Sequence, residues 1–354
     1  MGRQVEDLGY ASQGRANPGR RSRLVFAYRP AVAESVFAPE HFARLRELCD
    51  VPDVTPLEDF TVARAQAALA DAEILVTSWG CPKLDGALVG LAPKLKLIAH
   101  AAGTVKQFIA PEIFAAGIVV CNAPAANAIP VAEFTLAAIL FSNKQVLRYR
   151  DLYREERERS RWEDVSRPDV GNWRKVVGIV GMSRIGRRLV ELLEPFDLDV
   201  MVHDPYFTAE EAAALGVRSV PLDELMAGSD IVSIHAPALE STRHMIDAGR
   251  LGLMRDGATL INTARGSLID QTSLEKELIS GRISAVLDVT TPDPLPSNSP
   301  LYDLPNVLLT PHIAGALGGE RERLGALVVA EIERFTRGMP LAHAVAAETL
   351  HLQA

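Results

Sequence analysis

The stretch Val176 to Pro205, VVGIVGMSRIGRRLVELLEPFDLDVMVHDP, constrains the fold more than any other part of the 354-residue chain. It opens with Val176, Val177, Ile179 and Val180, a short β-branched run that reads as a buried strand. The glycine turn Gly181-Met182-Ser183-Arg184-Ile185-Gly186 follows. A helical pattern then places Ile185, Leu189 and Leu192 on one face, and Pro195 stops it. A second apolar run, Val200 to Val202, leads into Asp204. Strand, glycine turn, helix, strand and terminal acid together describe a dinucleotide-binding βαβ unit.

Each residue type has a physical task in that unit. Gly181 permits a tight turn, and Gly186 lets the helix pack close on the sheet. The helix N-terminus, through Arg184 and Ile185, offers free N–H groups and partial positive charge to a pyrophosphate. Asp204 lies 18 positions after Gly186, near the expected spacing of about 20. Its carboxylate can accept from an adenosine ribose and would repel a 2′-phosphate, which favours NAD over NADP. Ser183 departs from the pattern, which calls for a second glycine there. Its Cβ must be accommodated, although its hydroxyl could donate to a phosphate oxygen. A bare GxSxxG also fits any glycine-containing strand-to-helix turn; the complete unit is what carries the nucleotide reading.

The length leaves room for two domains. With 48% hydrophobic and 23% charged residues, a packed soluble core is expected. A net charge of −8 and a pI near 5.6 argue against a nucleic-acid partner. Cys49, Cys81 and Cys121 are scattered without metal or redox spacing, which fits a reducing cytoplasm. The longest apolar candidate, Val131 to Phe141, is broken by Glu133 and is too short to span a bilayer. Residues 1–22 read as a disordered or expression-extended tail without a signal-peptide core.

From Arg23 the pattern alternates. Leu24–Tyr28, Ile74–Thr77, Leu95–Ala99 and Ile118–Cys121 read as strands, and Ala33–Leu48 as an amphipathic helix. The sequence NAPAANAIP, Asn122 to Pro130, reads as a proline- and alanine-rich break and a hinge. A long helix, roughly Val131 to Arg150, follows and runs into REERERSRWEDVSRPD, read as a solvated connection. After the opening βαβ unit come strands at Ile231–His235, Thr259–Asn262, Ser284–Asp288 and Val307–Leu309. A last helix, Gly319–Arg337, could return to the first domain. The alternation implies α/β architecture with doubly wound parallel sheets.

Three segments fall at carboxyl ends of these strands, where open α/β sheets bind ligands. They are INTARGSLID with Arg265, AVLDVTTPDPLP with Asp288 and Asp293, and LLTPHIAG with His312. Singly, each has an ordinary explanation: a surface arginine, a turn-forming aspartate, a structural Pro-His. Together, beside a nicotinamide, they suit reduction of a 2-oxo acid. Arg265 would hold the substrate carboxylate and polarise the carbonyl. His312 would deliver a proton as hydride arrives. Asp293 would hydrogen-bond the other ring nitrogen and fix the tautomer.

On NAPAAN, GIVGMSRIG, SIHAP, NTARG, DVTTPDPLP and TPHIAG, in that order, the chain resembles the D-isomer-specific 2-hydroxyacid dehydrogenases, among them phosphoglycerate and glyoxylate/hydroxypyruvate members. The resemblance covers Arg23 to the last helix. It implies a Rossmann NAD-binding domain, residues 125–318, inserted into a flavodoxin-like substrate domain made of 23–124 and 319–354. It also implies an active site in the cleft between them and a homodimer joined through the nucleotide domains. The family's arginine matches Arg265 and its proton-transferring histidine matches His312. The family's glutamate is Asp293 here, one methylene shorter, so the His312 partner must sit closer or bond through water. Asp288 matches the aspartate that contacts the nicotinamide amide. His235 and Pro237 match the loop beneath the cofactor, Thr263 and Ala264 supply backbone contacts, and Gly315 closes the TPHIAG motif. The substrate-carboxylate loop is Ala101-Ala102-Gly103-Thr104, in which Ala102, Gly103 and Thr104 would cradle an anion with backbone N–H groups. Lys106 reads as a solvated lysine or as facing a second substrate charge. Trp79 reads as lining the cleft or as buried packing.

The leading expectation is an NAD-dependent oxidoreductase interconverting a small D-2-hydroxy acid and its 2-oxo acid, with no metal. The alternatives are phosphite or formate oxidation, an NAD(H)-sensing module or corepressor-like protein on the same fold, and a decayed enzyme that still binds NAD.

Overall fold

The computed structural model describes residues 20–352 except 160–166, 168 and 169. The tail expected at 1–22 therefore lies outside it up to residue 19, and most of the charged connection lies outside it as well. Arg20 and Ser22 are tethered: both side chains reach the buried Glu73, which Lys96 also engages at 3.0 Å.

The chain forms two compact units. The first takes residues up to Asn127 and from Gly318 on; the second takes Ala128–Leu317. In the first, strands β1 (Leu24–Ala27), β2 (Ile74–Thr77), β3 (Leu97–His100) and β4 (Val119–Asn122) pair in parallel in that order. Almost every residue in them is buried, as a sheet covered on both faces requires. Asp50 bridges Arg23 in parallel, with Leu24 N–H donating to the Asp50 carbonyl at 2.9 Å and Asp50 N–H to Ser22 at 3.0 Å. The second segment of the chain thus lies outside the first, the flavodoxin-like order, with its strand reduced to one residue.

In the second unit all seven strands are parallel. They are β5 (Val176–Val180), β6 (Asp199–His203), β7 (Arg218–Ser219), β8 (Ile231–Ile234), β9 (Thr259–Asn262), β10 (Ser284–Leu287) and β11 (Val307–Leu309). Their order is β11-β10-β9-β8-β5-β6-β7. The chain winds one way from β5 to β7 and the other way from β8 to β11, so the topological switch point lies between β5 and β8. The fold class is the α/β doubly wound architecture with two parallel sheets.

Several helix expectations are corrected. Ala33–Leu48 is two helices, Pro30–Val36 and Pro39–Leu48. Pro39 disfavours helical backbone in the residue before it, and Phe37 turns inward to stack on Tyr28 at 5.9 Å. The expected hinge at Asn122–Pro130 is instead the start of one helix, Pro124–Asn143. Pro124 is favoured at the first helical position. Pro130 inside the helix costs one backbone bond, and burial of Ala126, Ala128, Val131 and Ala132 outweighs that propensity. This 20-residue helix is long and apolar enough by composition to cross a membrane, although 44% of its apolar window is buried in the protein. The expected continuation to Arg150 breaks at Gln145, with φ of 49°, before a second helix, Val146–Glu156. That helix takes in the first residues of the charged stretch, Arg154–Glu156. In the helix Arg184–Leu193 the expected Leu189 is buried, with Gly186, Val190 and Leu193 beside it, while Ile185 and Leu192 pack partly buried against the same core.

The last helix, Glu322–Thr336, follows a 3-10 turn at Gly318–Arg321. It packs within the first unit, where a Cβ on Gly325 would lie 2.0 Å from the Val36 carbonyl. The buried Glu331 accepts from Ala342 N–H at 3.1 Å and His343 N–H at 2.9 Å. These bonds hold the following segment where Ala344 bridges Cys121 on the outer edge of β4.

Candidate nucleotide and active site

The glycine turn after β5 is built by close approaches. Gly181 has φ of 98°, and a Cβ there would lie 2.6 Å from the Ala236 nitrogen. A Cβ on Gly186 would lie 2.2 Å from the Gly181 carbonyl oxygen. Gly178, which sequence reading passed over, is as tightly enclosed, with Ser229 Oγ at 2.4 Å from its ideal Cβ. Ser183 is the N-cap of Arg184–Leu193, its Oγ accepting from Gly186 N–H at 3.4 Å. That accounts for serine where glycine was expected, since serine is among the best N-caps. Arg184 and Ile185 supply first-turn N–H groups that no intrahelical carbonyl can reach.

Asp204 closes this turn from the end of β6. One carboxylate oxygen accepts from Met182 N–H at 2.7 Å and the other from Tyr206 N–H at 2.8 Å. The acid therefore organises the turn and retains acceptor sites, since an ionised carboxylate offers about four.

His235, at the end of β8, is buried, with Nε2 2.8 Å from Ser233 Oγ and Nδ1 left without a partner. The neighbouring Pro237 carbonyl accepts from Thr242 Oγ1 at 2.6 Å. An orphaned ring nitrogen, a helix N-terminus and glycines that admit close backbone approach fit a dinucleotide at this edge.

Burial pushes the pKa of His235 down to about 3. In the first unit burial does the same to His100, also to about 3, with its Nδ1 2.9 Å from Thr77 Oγ1. Both values lie below an unfolded value of about 6.5, so the unfolded chain takes up protons that the folded chain refuses. Their contribution is complete above about pH 6.5 and is lost as pH falls toward 3, at about 1.4 kcal/mol per pH unit for each histidine. Since each unit carries one, thermal unfolding followed from pH 7 to pH 5 should shift downward for both units. A transition indifferent to pH in that window would mean that its histidine is not held neutral.

Strands β9, β10 and β11 are neighbours, and their carboxyl ends carry the remaining chemistry. After β9, the fully buried Asn262 braces the loop: its Oδ1 accepts from Ala264 N–H at 3.0 Å and its Nδ2 donates to the Arg265 carbonyl at 2.9 Å. Thr263 Oγ1 lies 3.2 Å from Thr135 Oγ1. The partly buried Arg265 donates to the Ala264 carbonyl at 2.6 Å. No carboxylate pairs with it among the described residues, and burial lowers its pKa. Gly266 lies against the next loop, its ideal Cβ 2.1 Å from the Thr290 carbonyl. Asn262 and Gly266 were not singled out from sequence; both were visible within NTARG.

After β10, Asp288 is buried. After β11, His312 takes a left-handed backbone with φ of 57°. Its Nδ1 lies 3.6 Å from Asp293 Oδ2, with both side chains about half exposed. The shorter acid thus reaches the imidazole but stops outside direct hydrogen-bond distance. Gly315 follows Ala314 in the same bend.

In the first unit, the Ala101–Thr104 loop follows β3. Ser78 Oγ donates to the Ala101 carbonyl at 2.9 Å, Ala123 N–H to Ala102 at 3.0 Å and Asn122 Nδ2 to Gly103 at 3.1 Å. With these carbonyls turned into the protein, the amides of Gly103 and Thr104 are the donors this loop can offer an anion. Trp79 is neither deeply buried nor bare: it is 39% exposed, with the Arg321 guanidinium 5.2 Å from its ring centroid.

Comparison with known proteins agrees with this architecture. The family model for the D-isomer specific 2-hydroxyacid dehydrogenase, NAD binding domain, matches residues 136–314. A glyoxylate reductase from Thermofilum pendens is 33% identical over 317 residues, covering 88% of this chain and 92% of that protein. A D-3-phosphoglycerate dehydrogenase from Archaeoglobus fulgidus is 30% identical over 74% of this chain, which spans only 49% of that relative's length. The crystal structure of a D-lactate dehydrogenase from Treponema pallidum is 26% identical, with a TM-score of 0.72 over 91% of this chain and 99% of that one. The cofactor of the matched domain is a nicotinamide dinucleotide. The chain belongs to the D-isomer specific 2-hydroxyacid dehydrogenase family.

Proposed function

We propose that the protein is an NAD-dependent oxidoreductase that interconverts a small D-2-hydroxy acid and its 2-oxo acid. The observation that carries this reading is the trio at neighbouring strand ends: a partly buried guanidinium with no carboxylate partner among the described residues, and a half-exposed imidazole backed by an acid. Arg265 binds the substrate carboxylate and polarises the carbonyl, because a partly desolvated guanidinium gains most from a planar anion. His312 gives its proton to the carbonyl oxygen in reduction and takes it back in oxidation. Asp293 faces Nδ1, which leaves Nε2 as the nitrogen for proton exchange. The bound nicotinamide supplies or accepts the hydride. In the first unit, the amides of Gly103 and Thr104 are donors suited to an anion.

Asp204 sets the preference for NAD. Asp204→Ala should cut the ratio of kcat/KM with NADH to kcat/KM with NADPH by about tenfold or more, the usual scale for hydrogen bonds to a charged group. An unchanged ratio would remove Asp204 from cofactor choice.

The protein acts as a homodimer joined through the second unit. The helix Val146–Glu156 buries none of its eleven residues, and Phe141, Tyr153 and Trp173 are exposed, large aromatic side chains that a second copy would cover. Three free cysteines support a reducing, cytoplasmic setting. The test of function is NADH oxidation with glyoxylate, hydroxypyruvate, pyruvate, phenylpyruvate and 3-phosphohydroxypyruvate. Turnover of one of these acids supports the reading; NADH binding without turnover of any 2-oxo acid would favour a sensor.

A further inference from the structure

We propose that Ser78 and Asn122 are positioning residues that fix the Ala101–Thr104 loop of the first unit, so that the Gly103 and Thr104 amides are set to receive a carboxylate of the acid substrate. This rests on the reading that the protein acts on a 2-oxo acid. The loop leaves β3, which lies between β2 and β4, with His100 in register with Thr77 on one side and Asn122 on the other. It is held from both flanks. On the β2 side Ser78 Oγ donates to the Ala101 carbonyl at 2.9 Å, and Ala101 N–H donates to the Thr77 carbonyl at 2.7 Å. On the β4 side Ala123 N–H donates to the Ala102 carbonyl at 3.0 Å and Asn122 Nδ2 to the Gly103 carbonyl at 3.1 Å.

A trans peptide sets each carbonyl opposite the N–H of the next residue. Fixing the carbonyls of 101, 102 and 103 therefore aims the N–H groups of 102, 103 and 104 away from the partners that hold them. Ala102 is buried, whereas Gly103 and Thr104 are partly exposed. Among the described residues no group accepts from the N–H of Gly103 or Thr104. Successive amides aimed alike make an anion-binding concavity. Two of the three donors behind the loop are side chains, and both Ser78 and Asn122 are buried, where an unmet carbonyl is costly. A cradle fixed before its ligand arrives is spared the cost of ordering a loop on binding.

The test is Ser78→Ala, with Asn122→Ala as the second variant, each in the full chain. KM for the 2-oxo acid should rise about three- to thirtyfold, the scale of leaving a buried hydrogen-bonding group unmet. The fall in kcat should be far smaller, the split that marks lost ground-state binding. The Kd of NADH, read by fluorescence, should be unchanged, because the glycine turn and Asp204 belong to the second unit. Amide exchange at Ala123, whose N–H ends on the loop, should accelerate while that of β3 stays slow. Faster exchange at Ala123 with an unaltered KM would mean that the loop is held but does not bind the acid, and would overturn the proposal. Unaltered exchange at Ala123, or a rise in KM matched by the NADH Kd, would overturn it as well. Should the wild-type protein reduce no 2-oxo acid, the functional reading fails and takes the substrate assignment with it, and exchange at Ala123 still decides whether Ser78 and Asn122 hold the loop.

Discussion

Replacing His312 by alanine is expected to lower turnover by about 10²–10⁴-fold, the range for removing a general acid–base group. NADH affinity should be retained, because the glycine turn with Ser183 follows β5 and Asp204 follows β6, while His312 follows β11. The imidazole is half exposed, so its loss leaves no large cavity, and the melting temperature should change little. Steady-state kinetics alongside NADH fluorescence would separate these effects. Full activity in the variant would remove His312 from the mechanism; loss of NADH binding in parallel would mean that the substitution had disturbed the nucleotide site.

Arg265→Met should lower kcat/KM for a 2-oxo acid by about 2–5 kcal/mol, the cost of truncating one partner of a desolvated, hydrogen-bonded charge pair. That corresponds to roughly 30- to 5,000-fold. Arg265→Lys should recover little of it, since a point charge cannot match the planar fork on a carboxylate. Stability should move the other way. The guanidinium is partly buried with the Ala264 carbonyl as its acceptor, and burial already disfavours its charged form. An apolar stem of similar volume should therefore hold or raise the melting temperature. A variant that melts earlier and still reduces its substrate normally would make Arg265 a structural residue.

The sequence was most legible where one local rule acts alone. β2, β9 and β11 coincide with apolar runs closed by polar residues. The βαβ unit with its glycines and terminal Asp204 could be read because spacing and residue type are both local. Pro124–Asn143 was not legible, since its alanines and prolines look like a break and only burial against the rest of the protein keeps it helical. The strand reduced to Asp50 has no pattern at all. Within the candidate site, residue types at strand ends were readable, while their mutual bracing was not. That Asn262 braces the Arg265 loop and that Asp288 gathers 310–314 are facts of the fold, because most of these bonds run to backbone groups that carry no sequence signal.

The left-handed backbone at His312 bears on whether this protein is an enzyme or a relic. Glycine would occupy that conformation with least strain and asparagine with little. A protein that kept only nucleotide binding would have no reason to hold an imidazole there. Instead the strained histidine, its facing acid and the buried carboxylate that fastens its turn are all present together. An imidazole held in that conformation beside an acid supports the proposed proton donor over a scaffold reading.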